Sequence, residues 1–479
     1  SCTVFFNQRV LTTEEKDAVI EMLSKLTGFD RELMLRKVKL NQPHKTIRLF
    51  EQLSREVMFK LEENRQDLKG IDLHLEAQRR YPHRKFASHI LGYIGEISKE
   101  ELSKHYRQGY KMGELIGKTG VECRYDRYLR GKSGGWIVEI DAEGRQQKLL
   151  KEIKPAPGYN VILTINYELQ KVVEDCMKDK KGAIVVLNPS TGEVLSMVSK
   201  PDFDPNFFTG SGSMGKEIKE LLNNPELPLF NRAIQGMYPP GSIFKIITGI
   251  AALQEGKIDV KDTFECKGEF FAGRERRIFK CWKEKGHGKV NFSTGVINSC
   301  DIYFYNVGLK CGPDILENYA HKFGLGYLTK IDLPDEKKGL VPSSMWKKKH
   351  RKEPWYEGDT VNYSIGQGYI LITPLQAANM ISFVANRGVI YQPHVVSSII
   401  DNNGKQIWSF QKKKLVNVEI KPWIWEEMIY ALYHVVEEGT GQLAKMKGIK
   451  IAGKTGTAEN PHGEDHAWFV AYAPVEHPR

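Results

Sequence analysis

Apolar residues fall at helical spacing through the charged first eighty residues. In EEKDAVIEMLSKL, Val19, Ile20, Met22, Leu23 and Leu26 share one face, and EQLSREVMFKLEENRQ repeats the style with Leu53, Val57, Met58 and Leu61. The pattern predicts amphipathic packing helices, with a further charged helix in ISKEELSKHYRQGYK. Residues 136–165 read instead as strands: GWIVEIDAEGR, a Gly/Asp turn, then YNVILTINYELQ. Lys154 to Gly158 (KPAPG) is a Pro/Gly break and the expected junction between two domains, 1–158 and 159–479. Beyond it come a helix, NYELQKVVEDCMKDK, and a hairpin of GAIVVLNP and GEVLSMVS turning at Ser190-Thr191-Gly192. The chain finishes in a second hairpin, IKIAGKTGT and HAWFVAYAP. The basic run Lys347 to Lys352 reads as a solvated loop.

One helix stands apart. In MYPPGSIFKIITGIAALQEG, Pro239, Pro240 and Gly241 mark the entry and Gly256 the exit. Between them the apolar residues Ile243, Phe244, Ile246, Ile247, Ile250, Ala251, Ala252 and Leu253 leave no polar face, so the helix is buried. Lys245 is then a buried lysine, costly unless it is partnered or neutral. Ser242 lies three residues earlier, on the same face. A serine hydroxyl needs a neighbouring base to act as nucleophile, and a desolvated lysine can take its proton. Backbone N–H groups at the helix start favour a developing oxyanion. By itself Ser-x-x-Lys also fits a capping serine beside a lysine that reaches for solvent.

Two later elements change that picture. Ser299-Cys300-Asp301 follows 57 residues after Ser242, and Lys454-Thr455-Gly456-Thr457 follows 155 residues after Ser299, at the end of a strand. Lys454 and the hydroxyls of Thr455 and Thr457 can hold a carboxylate, and Gly456 lets a ligand backbone approach the strand edge. A second Lys-Thr-Gly, Lys118 to Gly120, precedes the serine and has no strand expected before it, so it is set aside.

Seven cysteines are too few for a disulfide scaffold, yet Cys266, Cys281, Cys300 and Cys311 fall within 46 residues. Cys266, Cys281, His287 and Cys300 are spaced 15, 6 and 13 apart. Three thiolates and an imidazole make a tetrahedral zinc set, although the spacing is not that of a compact zinc finger. A Cys266–Cys281 disulfide and unpaired buried thiols are the alternatives.

The charge balance, +11, favours an anionic surface or substrate, and no nucleic-acid motif accompanies it. No run of 18 apolar residues occurs, so no membrane-spanning helix is expected within these 479 residues. A first residue other than Met and a last residue just past an apolar strand read as the ends of a fragment.

Ser-x-x-Lys, Ser-x-Asp and Lys-Thr-Gly in this order resemble the motif set of β-lactamases and penicillin-binding proteins. LNPSTGEVLSMVSKPDFDPNFF, NRAIQGMYPPGSIFK, GDTVNYSIGQGYILITPLQAANM and GKTGTAEN are similar to class B penicillin-binding proteins. VPSSMWKKKHRKEPWYEGDTVNYSIGQG is similar to their penicillin-binding protein 2 branch. YPHRKFASHILGYIGEI and GKTGVECRYDRYLRG resemble the N-terminal pedestal of the class.

The resemblance implies an α+β chain: an elongated pedestal or dimerisation domain, then a transpeptidase domain with an antiparallel sheet flanked by helices, as in serine β-lactamases. It implies a D,D-transpeptidase of cell-wall elongation that penicillin acylates. Ser242 would be the nucleophile, Lys245 the base and Ser299 the proton relay. Lys454 and Thr455 would orient the substrate carboxylate, and the N–H groups of Ser242 and Thr457 would form the oxyanion hole. Asp301 departs from the motif's usual Asn; a carboxylate beside Lys245 tends to keep that lysine charged. No organic cofactor is implied. A structural zinc on Cys266, Cys281, His287 and Cys300 is, since some relatives carry a ligand set at these spacings. Implied partners are peptidoglycan stem peptides on lipid-linked glycan strands, β-lactams, a RodA-like SEDS-type glycosyltransferase and other elongation-complex proteins. The implied location is extracytoplasmic, on a single-pass membrane anchor preceding residue 1, and the sheet would continue past Arg479. A serine β-lactamase, a penicillin-sensing receptor and an inactive scaffold share parts of this pattern.

Overall fold

The computed structural model describes residues 2–7, 11–40, 46–50, 53–75, 78–111, 113–140, 146–209, 215–273, 275–460 and 463–479. Two compact units emerge. The first gathers Ser1–Ser88, Gly92–Lys118 and Phe203–Leu227; the second gathers His89–Leu91, Thr119–Asp202 and Pro228–Arg479. By contacts, residues 119–158 group with the second unit. The Pro/Gly stretch is tied down rather than free. Lys132 and Ala156 exchange backbone hydrogen bonds of 2.8 and 2.9 Å, and Tyr159 N–H donates to the Tyr128 carbonyl. Close by in sequence, the Tyr125 hydroxyl donates to Asp332 at 2.7 Å.

In the first unit the amphipathic pattern forms the helices Thr13–Thr27 and Arg55–Glu63, which bury Val19, Ile20, Leu23 and Leu61. Thr12 and Glu15 close a capping box at the first of them, which satisfies two end N–H groups. The helix expected after Ile97 is Lys99–His105, capped by Ser98. Three strands were not expected here: Cys2–Asn7 lies between Thr46–Phe50 and Ile71–Leu75 in an antiparallel sheet. Val4 and Phe6 point from its central strand into the core, alongside Ile20, Leu23, Leu49 and Leu61. A strand, Leu115–Gly117, does precede Lys118, contrary to expectation, and the Lys118 ammonium pairs with Glu101.

In the second unit every named strand pair is antiparallel. The expected first strand is Gly135–Ile140, but it pairs with an unexpected Gln146–Ile153; the turn between them lies outside the described residues. The hairpin Gly182–Leu187 and Val194–Lys200 forms as its turn residues imply. The last hairpin, Ala452–Ala458 with His466–Tyr472, is covered by the helices Pro422–Glu437 and Pro374–Ala385.

The helix Lys245–Gln254 is buried at every position through Leu253, as its uniform apolarity requires. It packs on Asp301–Lys322 and Pro422–Glu437. The basic run is not a solvated loop. It forms the helix Ser344–Arg351, capped by the Ser343 hydroxyl. Lys347 is only 2% exposed, because its ammonium reaches Asp359 at 2.6 Å and lies 4.5 Å from the Tyr356 ring centre.

Candidate active site

Ser242 sits in a single 3-10 turn, Gly241–Phe244, that feeds the buried helix. Gly241 is required there. Its φ is 56°, and a Cβ would stand 2.3 Å from the Thr457 carbonyl oxygen. That close approach sets the serine turn against the Lys-Thr-Gly strand. The indole of Trp468, on the partner strand, reinforces it by donating to the Pro239 carbonyl at 2.9 Å. Gly456 serves the same packing. Its Cβ would meet Ile243 and the Pro240 carbonyl at 3.1 and 3.2 Å, so the room it leaves is for the protein's own turn rather than for a ligand.

Lys245 and Lys454 are both fully buried. Lys245 Nζ donates to the Ser299 carbonyl at 2.8 Å, to Ser299 Oγ at 3.2 Å and to Asp301 Oδ1 at 2.7 Å. Three acceptors match the three donors of an ammonium. Among the described residues no hydrogen bond joins Lys245 Nζ to Ser242 Oγ, and the half-buried serine hydroxyl is held by no other group. Burial pushes the Asp301 carboxyl up; the charge and hydrogen bond of Lys245 and the N–H of Trp282 outweigh it and hold the group below its usual range. Lys454 has one hydrogen bond, to the Thr455 carbonyl at 3.1 Å. Burial, then the charge of Lys245, press its amine well below the ordinary lysine value, against the opposing pull of Asp301. One buried carboxylate thus serves two buried lysines, and Lys245 has the contact.

The three motifs therefore converge on one centre. Ser299 reaches it in a left-handed conformation, φ 53°, strained for a residue with a side chain. Two participants were not legible as motifs. Thr440 shares a 2.6 Å hydrogen bond with the Thr455 hydroxyl, and its backbone N–H donates to the carbonyl of Ile297, two residues before Ser299. Trp282 donates to Asp301 and to the Ser299 turn. Its only sequence signal is its place beside Cys281.

The four proposed ligands also converge: one donor atom each from Cys266, Cys281, His287 and Cys300 lies within 4.8 Å of the others. His287 Nδ1 stands 3.5 Å from the sulfurs of Cys266 and Cys281. Tetrahedral zinc, with bonds of about 2.3 Å to sulfur and 2.0–2.1 Å to nitrogen, puts S and N about 3.5 Å apart. The donor set fits the metal. Cys300 also caps the helix Asp301–Lys322, its sulfur accepting from Tyr303 N–H at 3.4 Å. Cys266, Cys281 and Cys300 are free thiols, so the Cys266–Cys281 disulfide does not form in this structure; Cys311 is buried and outside the cluster.

Known proteins align along the whole chain. Residues 182–479 match the penicillin binding protein transpeptidase domain, and residues 1–163 the penicillin-binding protein dimerisation domain. The peptidoglycan D,D-transpeptidase MrdA of Acinetobacter baumannii is 34% identical over 97% of this chain and 72% of its own length. The penicillin-binding protein PBP2 of Helicobacter pylori, solved in complex with MreC, superposes with a TM-score of 0.87 at 29% identity, covering 100% of this chain and 88% of that one. A chain from a structure described as a peptidoglycan synthase complex that coordinates polymerization and crosslinking superposes at 0.73 with 30% identity, over 99% and 80%. With a dimerisation and a transpeptidase domain in tandem, the chain belongs to the class B penicillin-binding proteins, in the branch of PBP2 peptidoglycan D,D-transpeptidases.

Proposed function

We propose that this chain cross-links peptidoglycan stem peptides through an acyl-enzyme on Ser242, in cell-wall elongation. The observation that carries the reading is that Lys245, three residues after Ser242, bonds Ser299 and Asp301 while the Ser242 turn packs through Gly241 on the strand bearing Lys454. Ser242 Oγ attacks the carbonyl carbon of the penultimate D-Ala of a stem ending in D-Ala-D-Ala. The N–H groups of Ser242 and Thr457, on segments that touch through Gly241, take the oxyanion. The serine proton passes to Lys245 as that ammonium gives one of its own protons to Ser299 Oγ. Ser299 Oγ, 3.2 Å from that lysine, hands a proton to the leaving nitrogen. The peptide C–N bond breaks, and D-Ala departs. An amine of a second stem then attacks the ester and Ser242 recovers its proton. Asp301 holds Lys245 in place between turns of this cycle. Among the described residues Lys454 makes no salt bridge of its own, and a substrate carboxylate held by the Thr455 and Thr457 hydroxyls adds a negative charge beside it. Thr440 fixes the Thr455 hydroxyl for that contact.

Cys266, Cys281, His287 and Cys300 would hold a structural zinc. Four protein ligands leave it no open position, so its role is to fix the loop bearing Cys300 between Ser299 and Asp301. No helix among the described residues is long and apolar enough to cross a membrane; the substrate supports an extracytoplasmic, membrane-associated place of action. The H. pylori complex with MreC and the synthase complex support elongation-complex partners and a SEDS-type, RodA-like glycosyltransferase for this chain.

The test supplies the protein with a stem peptide ending in D-Ala-D-Ala and an acceptor amine. D-Ala release together with a new amide product is the expected result. Release without the amide makes it a carboxypeptidase; equal release by Ser242→Ala removes the proposed chemistry.

A further inference from the structure

We propose that Trp282 is a positioning residue that holds the Ser299 carbonyl for Lys245. The proposal rests on the transpeptidase reading and adds a residue to it. Trp282 makes two hydrogen bonds to the second motif and one to the residue before it. Its backbone N–H donates to Asp301 Oδ2 at 3.0 Å, and its indole N–H is shared between the carbonyls of Asn298 and Ser299 at 3.1 and 3.2 Å. The Ser299 carbonyl is the same oxygen that accepts from Lys245 Nζ at 2.8 Å. Its two lone pairs are thereby assigned, one to the indole and one to the lysine.

Such a clamp answers a local need. The left-handed backbone of Ser299, φ 53°, is strained and persists only where neighbours over-determine it. The Trp282 ring is 59% exposed, so burial of the ring is not what fixes its place. One edge-on contact with His287, 5.3 Å between ring centres, orients it, and the indole N–H points into the turn. Trp282 follows Cys281 in the chain but offers no ligand atom, so a replacement that keeps a ring beside His287 leaves all four ligands and that contact in place. Without the indole N–H, the Ser299 carbonyl is free to turn, and Lys245 and Ser299 Oγ lose their shared register.

Trp282→Phe tests this, because Phe keeps a ring beside His287 and the backbone N–H but has no donor. Stopped-flow acylation by a fluorescent penicillin separates the Kd of the pre-covalent complex from the acylation rate constant. The expected result is an acylation rate constant lower by about tenfold, the loss of one hydrogen bond felt in the transition state, with Kd changed less than about twofold. Zinc content and melting temperature stay at wild-type values. An unchanged rate constant in Trp282→Phe overturns the proposal, and if Trp282→Ala alone is slow the ring, not its N–H, is what counts. A loss that tracks zinc or melting temperature also overturns it, assigning the residue to the fold. A wild-type protein that takes no label removes the transpeptidase reading and this inference with it.

Discussion

Lys245→Ala is expected to slow penicillin acylation by roughly a thousandfold, within the range for loss of a general base, and to destabilise the second unit by about 3 kcal/mol. Both effects come from one geometry. Lys245 is fully buried, and its three donors are spent on Ser299 and Asp301. Removing it leaves the Asp301 carboxylate buried with the Trp282 N–H and the Cys281 side chain as donors but with no ammonium in contact. Uncompensated buried charge accounts for the stability loss; a missing proton carrier accounts for the rate. The two separate in a double variant, Lys245→Met with Asp301→Leu. Replacing both members of a buried pair by apolar groups recovers most of the stability, and no acylation returns. Denaturant unfolding and label incorporation read the two quantities independently. Acylation within tenfold of wild type in Lys245→Ala would assign the proton transfer elsewhere.

The second large effect concerns the metal. Protein purified without chelator is expected to hold about one zinc per chain, and Cys281→Ser less than about 0.2. Structural zinc contributes directly to folding, so a strong chelator should lower the melting temperature. It should also slow acylation by roughly 10- to 100-fold, because Cys300 stands between Ser299 and Asp301 and the turn loses its clamp. Elemental analysis with parallel melting curves checks this. Zinc below about 0.2 per wild-type chain, or a mass showing Cys266 and Cys281 joined by a disulfide, contradicts the site.

Much of this centre was legible in the sequence because each part breaks a local rule. A helix with no polar face has to be buried, so a lysine inside it demands a partner. Pro239, Pro240 and Gly241 announce where that helix starts. Cysteines crowded into a loop that needs none for packing suggest a ligand set. What stayed hidden depends on residues far apart in the chain. Nothing near Lys347 says that Asp359 and Tyr356 will bury it, so a basic run passes for a solvated loop. Thr440 looks like any loop threonine until the hairpin brings Thr455 to it. Trp282 matters through an N–H aimed at carbonyls sixteen and seventeen residues away. In the first unit, alternation in Ile71–Leu75 was a strand signal, but charged helical periodicity before it masked so short a segment. The junction at 154–158 is broken in composition yet hydrogen-bonded back to residues 128–132, which no composition reveals.

The most direct test of the central claim, a covalent acyl-enzyme on Ser242, is the intact mass of the protein after incubation with benzylpenicillin. Circular dichroism confirms that the same sample, and Ser242→Ala alongside it, is folded. The account predicts one penicillin per wild-type chain, persisting over hours, and none on Ser242→Ala. A folded wild-type chain with no adduct, or an adduct that survives in Ser242→Ala, would contradict it.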